Sequence, residues 1–230
     1  ARLAAGEAVA VSAAAGGTGH LAVQIALLGG ARTVVALCGS EEKANALQAL
    51  DTGGRVVPVN YRSAGRDLTT HLIAACPDGF DVVYEGVGGA VQDSLLSCLA
   101  PRGRLLQVGY ISEYPHTCGY PVPEEEQHLA ASHASRGAVF MDAEPLPDRA
   151  SLMWRGLTVS RGGQTIIGAI WPRDPRLVAR ARRRVFKLHR EGLLRVWLDD
   201  SHGLRGVEAI PDAIDHMLHG QHMGKVVLEI

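Results

Sequence analysis

The feature that most constrains this chain is a run of small residues between an apolar segment and a helical one. Residues 7–13 are apolar and partly β-branched, and the run AAGGTG follows at 14–19. Residues 19–28 then show helical periodicity. A strand, a tight glycine turn and a helix in this order predict the start of a β-α-β unit.

Strands and helices continue to alternate as far as residue 109. The predicted strands that follow are 33–38, 55–59, 81–84 and 103–109. The predicted helices between them are 40–50, which Ser40 caps, 66–76 and 90–99. Short connections and apolar strands are typical of a parallel sheet buried between helical layers. We therefore predict an α/β fold, a doubly wound Rossmann sheet with parallel strands and helices on both faces.

The alternation stops between about residues 111 and 163. Prolines from Pro115 to Pro147 and the acidic run 124–126 favour a long surface excursion there. Later elements are a strand at 164–171, a basic helix at 174–191, a strand at 193–198, a helix at 211–218 and a strand at 225–230. We divide the chain into a Rossmann domain over 1–192, with the excursion inserted at 111–163, and a carboxyl-terminal segment over 193–230.

Composition excludes several classes of protein. The 230 residues are 47% hydrophobic and carry a formal net charge of −1. Disordered chains and uniformly basic nucleic-acid binders have very different balances. Because no apolar run approaches the roughly 20 residues of a membrane-spanning helix, we expect a globular protein with no membrane partner, and nucleic acid is a disfavoured partner.

The cysteines are scattered along the sequence. They are Cys38, Cys76, Cys98 and Cys118, and no pair has the CxxC spacing of a zinc site. Isolated thiols of this kind indicate buried small side chains in a reducing intracellular compartment, either the cytoplasm or an organelle matrix.

The glycine run has the sequence context of a phosphate loop. Gly16 lets the backbone approach a pyrophosphate, and Gly19 lets the helix pack closely on the strand. N–H groups at the start of a helix face an anion. We predict that Gly16, Gly17, Thr18 and Gly19 bind cofactor phosphates; the alternative is a purely structural turn.

The end of the second strand favours NADP(H) over NAD(H). No Asp or Glu occupies residues 37–40, where an NAD site usually holds the ribose with a carboxylate. Gly39, Ser40, Lys43 and Tyr61 offer a hydroxyl, an ammonium and a phenol, which suit a 2′-phosphate. In the alternative, Ser40 is only a helix cap and Lys43 a solvated lysine.

Residues 11–26 (VSAAAGGTGHLAVQIA) resemble the zinc-independent quinone oxidoreductases of the medium-chain dehydrogenase/reductase superfamily, and most closely their prostaglandin reductase 3 branch. Further matching pieces are VNY at 59–61, DVVYEGVGG at 81–89, GRLLQVGYIS at 103–112 and MGKVVLEI at 223–230. The resemblance implies a Rossmann domain that binds NADPH. It also implies hydride transfer to the β-carbon of an α,β-unsaturated ketone or to a quinone.

The resemblance assigns roles to single positions. Thr18 contacts the pyrophosphate, and Lys43 and Tyr61 hold the 2′-phosphate. The residues that line the nicotinamide side are Gly86, Val87, Ile111 and Tyr114.

This chain departs from the family pattern at several of these positions. Gly39 and Gly86 stand where relatives have serine, and His222 stands where they have asparagine. These departures weaken or alter cofactor binding in this interpretation.

Relatives also begin with a GroES-like substrate domain, whereas Ala1 corresponds to a position just before the first Rossmann strand. We expect segment 193–230 to return to that domain. One hypothesis is therefore the cofactor part of an NADPH-dependent enone or quinone reductase. The other is a non-catalytic scaffold subunit of a larger assembly. Neither assigns a catalytic residue. By family analogy the chain forms a homodimer or larger assembly through the strand 164–171.

Three further candidates have plainer interpretations. His216, His219 and His222 lack a completing ligand, so we predict no metal site. The basic helix 174–191 is typical of an amphipathic surface helix. Glu85, after the fourth strand, either orients a ribose or nicotinamide or is a solvated loop carboxylate.

Overall fold

The structure, a computed structural model, describes residues 2–113, 148–169, 174–200 and 203–230. At its centre lies a seven-stranded sheet of order β3-β2-β1-β4-β5-β7-β6. The strands are β1 (Ala8–Val11), β2 (Thr33–Cys38), β3 (Val56–Asn60), β4 (Phe80–Glu85), β5 (Leu99–Gln107), β6 (Thr158–Arg161) and β7 (Gln164–Gly168). All neighbours pair in parallel except β6 with β7. This order confirms the predicted α/β Rossmann fold.

Helices cover both faces of the sheet. Those packed on it are α1 (Gly19–Leu28), α2 (Glu41–Gln48), α3 (Tyr61–Ala64), α4 (Leu68–Ala75), α5 (Gly89–Ser97) and α6 (Arg149–Arg155). Two later helices, α7 (Pro175–Arg190) and α8 (Ile210–Leu218), contribute no residue to the two clusters under the sheet. Side chains alternate along each strand, so Val34 and Ala36 of β2 join the buried cluster under α1 and α2. Val35 and Leu37 join the cluster under α4, α5 and α6.

The order of the strands places the functional edge. β1 lies between β2 and β4, so the direction of winding reverses there. In doubly wound sheets ligands bind beyond the carboxyl ends of the strands at such a switch point. The loops after β1, β2, β4 and β5 are therefore the ones that form a site.

Part of the predicted excursion is folded. α6 and β6 lie within it, and β6 forms an antiparallel hairpin with β7 through Gly162 and Gly163. The strand 164–171, through which we predict a homodimer, is not itself the edge of the sheet, because β6 pairs with β7 and takes the edge position. The Gly-Gly pair between two short β-branched runs is a hairpin signal that our interpretation as the end of a loop overlooked. Residues 114–147, with Tyr114 and Cys118, and 170–173 lie outside the described ranges.

The carboxyl-terminal part forms a second, minimal sheet. β8 (Leu198–Asp199) and β9 (Lys225–Val226) pair in parallel and are only two residues long. The predicted strand 193–198 is therefore mostly wrong. The N–H groups of Arg195 and Trp197 donate to side chains of α1. The Trp197 carbonyl oxygen accepts from the Lys225 N–H of β9 at 2.9 Å.

Three cysteines, Cys38, Cys76 and Cys98, are buried free thiols, as predicted. Burial raises the pKa of each. Within the described ranges, no helix has both the length and the apolar character to cross a membrane.

Candidate cofactor site

The loop between β1 and α1 leaves backbone donors available for an anion. A Cβ on Gly19 would lie 2.1 Å from the carbonyl oxygen of Ala13, so only glycine lets the helix start this close to the strand. The side chain of Thr18, the N-cap, makes no capping hydrogen bond. Gly17 lies beside the carbonyl oxygen of Gly224, next to the bridge that joins Gly16 to Gly224. The N–H groups of Thr18 and Gly19 have no acceptor among the described residues. Such N–H groups at a helix start attract phosphate.

Gly16 is engaged differently, by the carboxyl-terminal part of the chain. It forms an isolated bridge with Gly224, whose N–H donates to the oxygen of Ala15 at 2.8 Å. Its own carbonyl oxygen accepts from Nδ1 of His20 at 2.7 Å. The predicted phosphate-binding run therefore divides into a part that holds the chain's own backbone and a part that leaves its donors available.

His20 and Gln24, one turn apart on α1, hold an extended segment against the helix. The Trp197 N–H donates to Nε2 of His20 at 3.0 Å, and the two rings stack with centroids 5.2 Å apart. The side-chain amide of Gln24 donates to and accepts from the backbone of Arg195. Burial lowers the pKa of His20. With Nδ1 donating and Nε2 accepting, the imidazole is neutral.

The second group of predicted residues meets at the end of β2. A Cβ on Gly39 would lie 2.9 Å from the Tyr61 hydroxyl, so glycine lets the phenol ring approach. Lys43 is half-buried, and its ammonium donates to the oxygen of Gly220 at 2.5 Å. Ser40 accepts from the N–H of Lys43 at 3.3 Å and is the helix cap that we predicted. Lys43 is therefore not a fully solvated lysine.

Arg62, which sequence reasoning missed, belongs to the same group. Its guanidinium donates to the oxygen of His219 at 3.1 Å. The available signal was its position directly after Tyr61.

His222 lies between these two groups. Its Nε2 is 3.7 Å from the position that a Cβ on Gly16 would take. Burial, then the charges of Lys43 and His216, lower its pKa. His219 instead donates from Nδ1 to the carbonyl oxygen of Asp215 in α8, at 2.7 Å. Within the described ranges no group of three or more potential metal ligands converges.

The nicotinamide-side residues predicted from the resemblance also come together. The Ile111 N–H donates to the oxygen of Gly86 at 3.2 Å, and the Ser112 N–H donates to the oxygen of Val87 at 2.9 Å. These contacts join the loops that follow β4 and β5. Tyr114 lies outside the described residues.

Glu85 is neither a solvated carboxylate nor free to orient a ligand, so both of our interpretations of it are wrong. It is completely buried. Its carboxyl group accepts from the N–H groups of Val87 and Gly88 and from the hydroxyl of Ser12. Burial, opposed by these hydrogen bonds, raises its pKa to about 7. Glu85 therefore stabilises the conformation of the loop after β4 through hydrogen bonds from its backbone N–H groups.

Ser12, another residue that sequence reasoning missed, connects the two sides of the switch point. Its hydroxyl donates to Glu85 at 3.0 Å and accepts from the N–H of Gly86 at 2.9 Å. The ends of β1 and β4 are thus joined where the cofactor loops diverge.

Arg149 ties α6 to the same edge. Its guanidinium donates to Asp93 and Gln92, at 2.9 Å each, and also to Glu113. Glu113 in turn accepts from the N–H of Gly89 at 3.1 Å. The first residue of α6 therefore fixes the loop after β5 against the start of α5.

Comparison with known proteins identifies similar sequences. The family model described as zinc-binding dehydrogenase matches residues 17–146. Prostaglandin reductase-3 of Mus musculus is 32% identical over 230 residues, which cover 98% of this chain and 52% of that protein. A probable quinone oxidoreductase of Leishmania amazonensis is 30% identical over 225 residues, which cover 98% of this chain and 57% of that protein. The chain spans about half the length of these relatives.

Solved structures share the fold. CurA of Vibrio vulnificus in complex with NADPH aligns over 99% of this chain and 58% of its own, with a TM-score of 0.68 and 24% identity. Escherichia coli quinone oxidoreductase complexed with NADPH aligns over 100% of this chain and 59% of its own, with a TM-score of 0.67 and 20% identity.

Proposed function

Since this chain belongs to the zinc-binding dehydrogenase family, within the medium-chain dehydrogenase/reductase superfamily, we propose that it is the cofactor-binding part of an NADPH-dependent reductase. The substrates in this proposal are α,β-unsaturated ketones or quinones. The relatives named prostaglandin reductase-3 and probable quinone oxidoreductase support that substrate class.

The observation that carries the proposal is the arrangement at the ends of β1 and β2. The N–H groups of Thr18 and Gly19 at the start of α1 have no acceptor among the described residues. Tyr61 lies against Gly39 at the end of β2, and Lys43 follows on α2. Backbone donors suit a pyrophosphate, and a cation with a phenol suits a 2′-phosphate. The residues present therefore fit NADP(H).

Each residue group has a binding or positioning role in this proposal. Gly17, Thr18 and Gly19 bind the pyrophosphate, with Gly16 and His222 forming the adjoining wall. Gly39, Ser40, Lys43 and Tyr61 form the 2′-phosphate subsite.

Gly86, Val87 and Ile111 line the nicotinamide side, and Glu85 with Ser12 holds that loop in position. The cofactor supplies the hydride, while the protein binds and orients it. The substrate pocket is completed by a further domain, to which segment 193–230 connects.

The first test is a titration of the full-length protein with NADPH and, separately, with NADH, in which the fluorescence of the nucleotide reports binding. We expect tighter binding of NADPH, and a loss of that preference in Lys43→Met. Arg66→Met is a suitable control, since it also removes a cation but from an exposed position outside the proposed subsite. Equal affinity for the two nucleotides would contradict the assignment to NADP(H).

The second test is NADPH oxidation by the full-length protein with a panel of enones and quinones. Turnover of at least one substrate supports the reductase. If NADPH binds but no substrate is turned over, the scaffold hypothesis replaces it.

A further inference from the structure

Two cations at the edge of the candidate cofactor site converge on one turn of the chain. Lys43 donates to the oxygen of Gly220 at 2.5 Å, and Arg62 donates to the oxygen of His219 at 3.1 Å. Both oxygens belong to the turn that follows α8, which ends at Leu218. The carbonyl end of a helix carries a partial negative charge, so it attracts cations.

Neither cation forms an ion pair with a carboxylate in the described part of the chain. The neighbouring carboxylates accept from other donors, Glu41 from the Asn60 amide at 2.8 Å and Asp199 from the Met223 N–H at 2.7 Å. Burial, then the charge of Arg62, lowers the pKa of Lys43. The two cations thus repel each other and donate to neutral carbonyl groups, although the charges of Asp199 and Glu42 also attract Lys43.

Arg62 is directed to this place by a local cap. The side chain of Asn60 accepts from the N–H of Arg62 at 3.1 Å and fixes the start of α3. Nε of Arg62 is 3.3 Å from the position that a Cβ on Gly39 would take, and the Tyr61 hydroxyl is 2.9 Å from it. The guanidinium and the phenol therefore face the same spot at the end of β2.

We propose that Arg62 is a specificity-determining residue that clamps the 2′-phosphate of NADP(H) together with Lys43. The two cations exchange the carbonyl oxygens of His219 and Gly220 for phosphate oxygens. Hydrogen bonds between charged partners are stronger than those to a neutral carbonyl, so the phosphate displaces the turn. NAD(H) has no such phosphate and leaves the turn in place. This inference rests on the proposed function, because it assumes a nucleotide at the phosphate loop.

The test compares the affinities of the full-length protein for NADPH and NADH in wild type, Arg62→Gln and Arg66→Gln. Arg66 is a matched control, since it is an exposed arginine one turn further on with no contact to the turn after α8. We expect Arg62→Gln to weaken NADPH binding by about tenfold, the equivalent of one charge-assisted hydrogen bond. NADH binding stays unchanged in this variant, and both affinities stay unchanged in Arg66→Gln.

A second measurement follows the turn itself. The rate of hydrogen exchange at the amides of residues 219–221 is measured in the presence of 2′,5′-ADP and, separately, of 5′-AMP. The two nucleotides differ only in the 2′-phosphate. We expect faster hydrogen exchange with 2′,5′-ADP but not with 5′-AMP. Unchanged or slower hydrogen exchange with 2′,5′-ADP would show that the phosphate does not displace the turn, and would overturn that part of the proposal.

The outcomes separate the inference from the proposed function. If wild type prefers NADPH and Arg62→Gln keeps the full preference, the role of Arg62 is wrong while the proposed function stands. If wild type binds neither nucleotide, the proposed function fails and the inference fails with it.

Discussion

Residues 2–113 and residues 174–230 are held together by different forces. In the first region strands β1 to β5 place apolar side chains in two clusters, one on each face of the sheet. In the second, no residue of α7 is buried, and the strands are two residues long. Phe80 of β4 is fully buried, whereas Phe186 of α7 is 60% exposed. The first region is stabilised by burial of apolar surface. The second is attached by hydrogen bonds and by a few apolar contacts, those of Leu194, Trp197 and Met223.

Those hydrogen bonds all lead to the candidate cofactor site. Arg195 and Trp197 bond to α1, Gly224 bonds to the phosphate loop, and the turn after α8 takes Lys43 and Arg62. The second region is thus attached at the place where the nucleotide is proposed to bind. We expect changes in the sheet to alter stability, and changes at this junction to alter the site while the sheet remains folded.

The largest effect is expected at Phe80. Phe80→Ala removes a fully buried ring from the cluster on one face of the sheet and leaves a cavity. The free energy of unfolding of the 230-residue chain should fall by about 3–5 kcal/mol, as measured by urea titration. A loss below about 1 kcal/mol would show that the sheet does not depend on this cluster.

A smaller and local effect is expected at the junction. Gln24→Leu removes the side-chain amide that bonds to Arg195 and leaves that backbone with unsatisfied groups. The local opening free energy at the Arg195 amide should fall by about 1–3 kcal/mol in native-state hydrogen exchange, while the amides of β1 and β4 keep their protection.

Gln48→Leu is the control for that change, since Gln48 is an exposed glutamine near the end of α2. If Gln24→Leu exposed β1 and β4 equally, the two regions would unfold as one unit, and the distinction between them would be lost.

Two buried groups, Glu85 under the sheet edge and His20 at the junction with the second region, should make stability respond to pH with opposite sign. Burial raises the pKa of Glu85 from 4.5 to about 7, so the folded state holds a proton that the unfolded chain has lost. Stability therefore falls as the pH rises through that interval. Burial lowers the pKa of His20 below 6.5, so the unfolded chain takes up a proton first, and stability at the junction falls as the pH drops below 6.5.

Glu85→Gln tests this contrast, because it removes one of the two titrations. In urea titrations across this pH interval, the free energy of unfolding of the variant should no longer fall as the pH rises. It should still fall as the pH drops below 6.5. Glu42→Gln, an exposed change on α2, should leave the profile unchanged. An identical slope in wild type and Glu85→Gln would contradict the pKa direction for Glu85.

The first region could be predicted from sequence because local pattern and tertiary packing agree there. Predicted helix 19–28 and strand 33–38 coincide with α1 and β2, and Ser40 is the cap of α2. The glycine run likewise predicted the tight turn between β1 and α1. These signals are local, so a single sequence contains them.

The rest depends on contacts between residues far apart in the chain. The apolar residues 193–198 predicted a strand, but this segment lies against α1. The contact between Gln24 and Arg195 joins residues that are 171 positions apart in the sequence. The burial of Glu85 depends on Ser12, 73 positions away. Arg62 had a charge that was visible in sequence, but its partner His219 was not. No periodicity encodes such pairs.

The smallest effect is expected at Phe186, which provides the counterpart to Phe80. Its ring lies on the outer part of α7, a helix with no buried residue and with Arg182, Arg183 and Arg190 nearby. Phe186→Ala removes little buried surface, so the free energy of unfolding of the 230-residue chain should change by less than about 0.5 kcal/mol. The same urea titration that is used for Phe80→Ala measures it. A loss above about 1 kcal/mol would mean that α7 buries this ring in solution, and the contrast between Phe80 and Phe186 would then disappear.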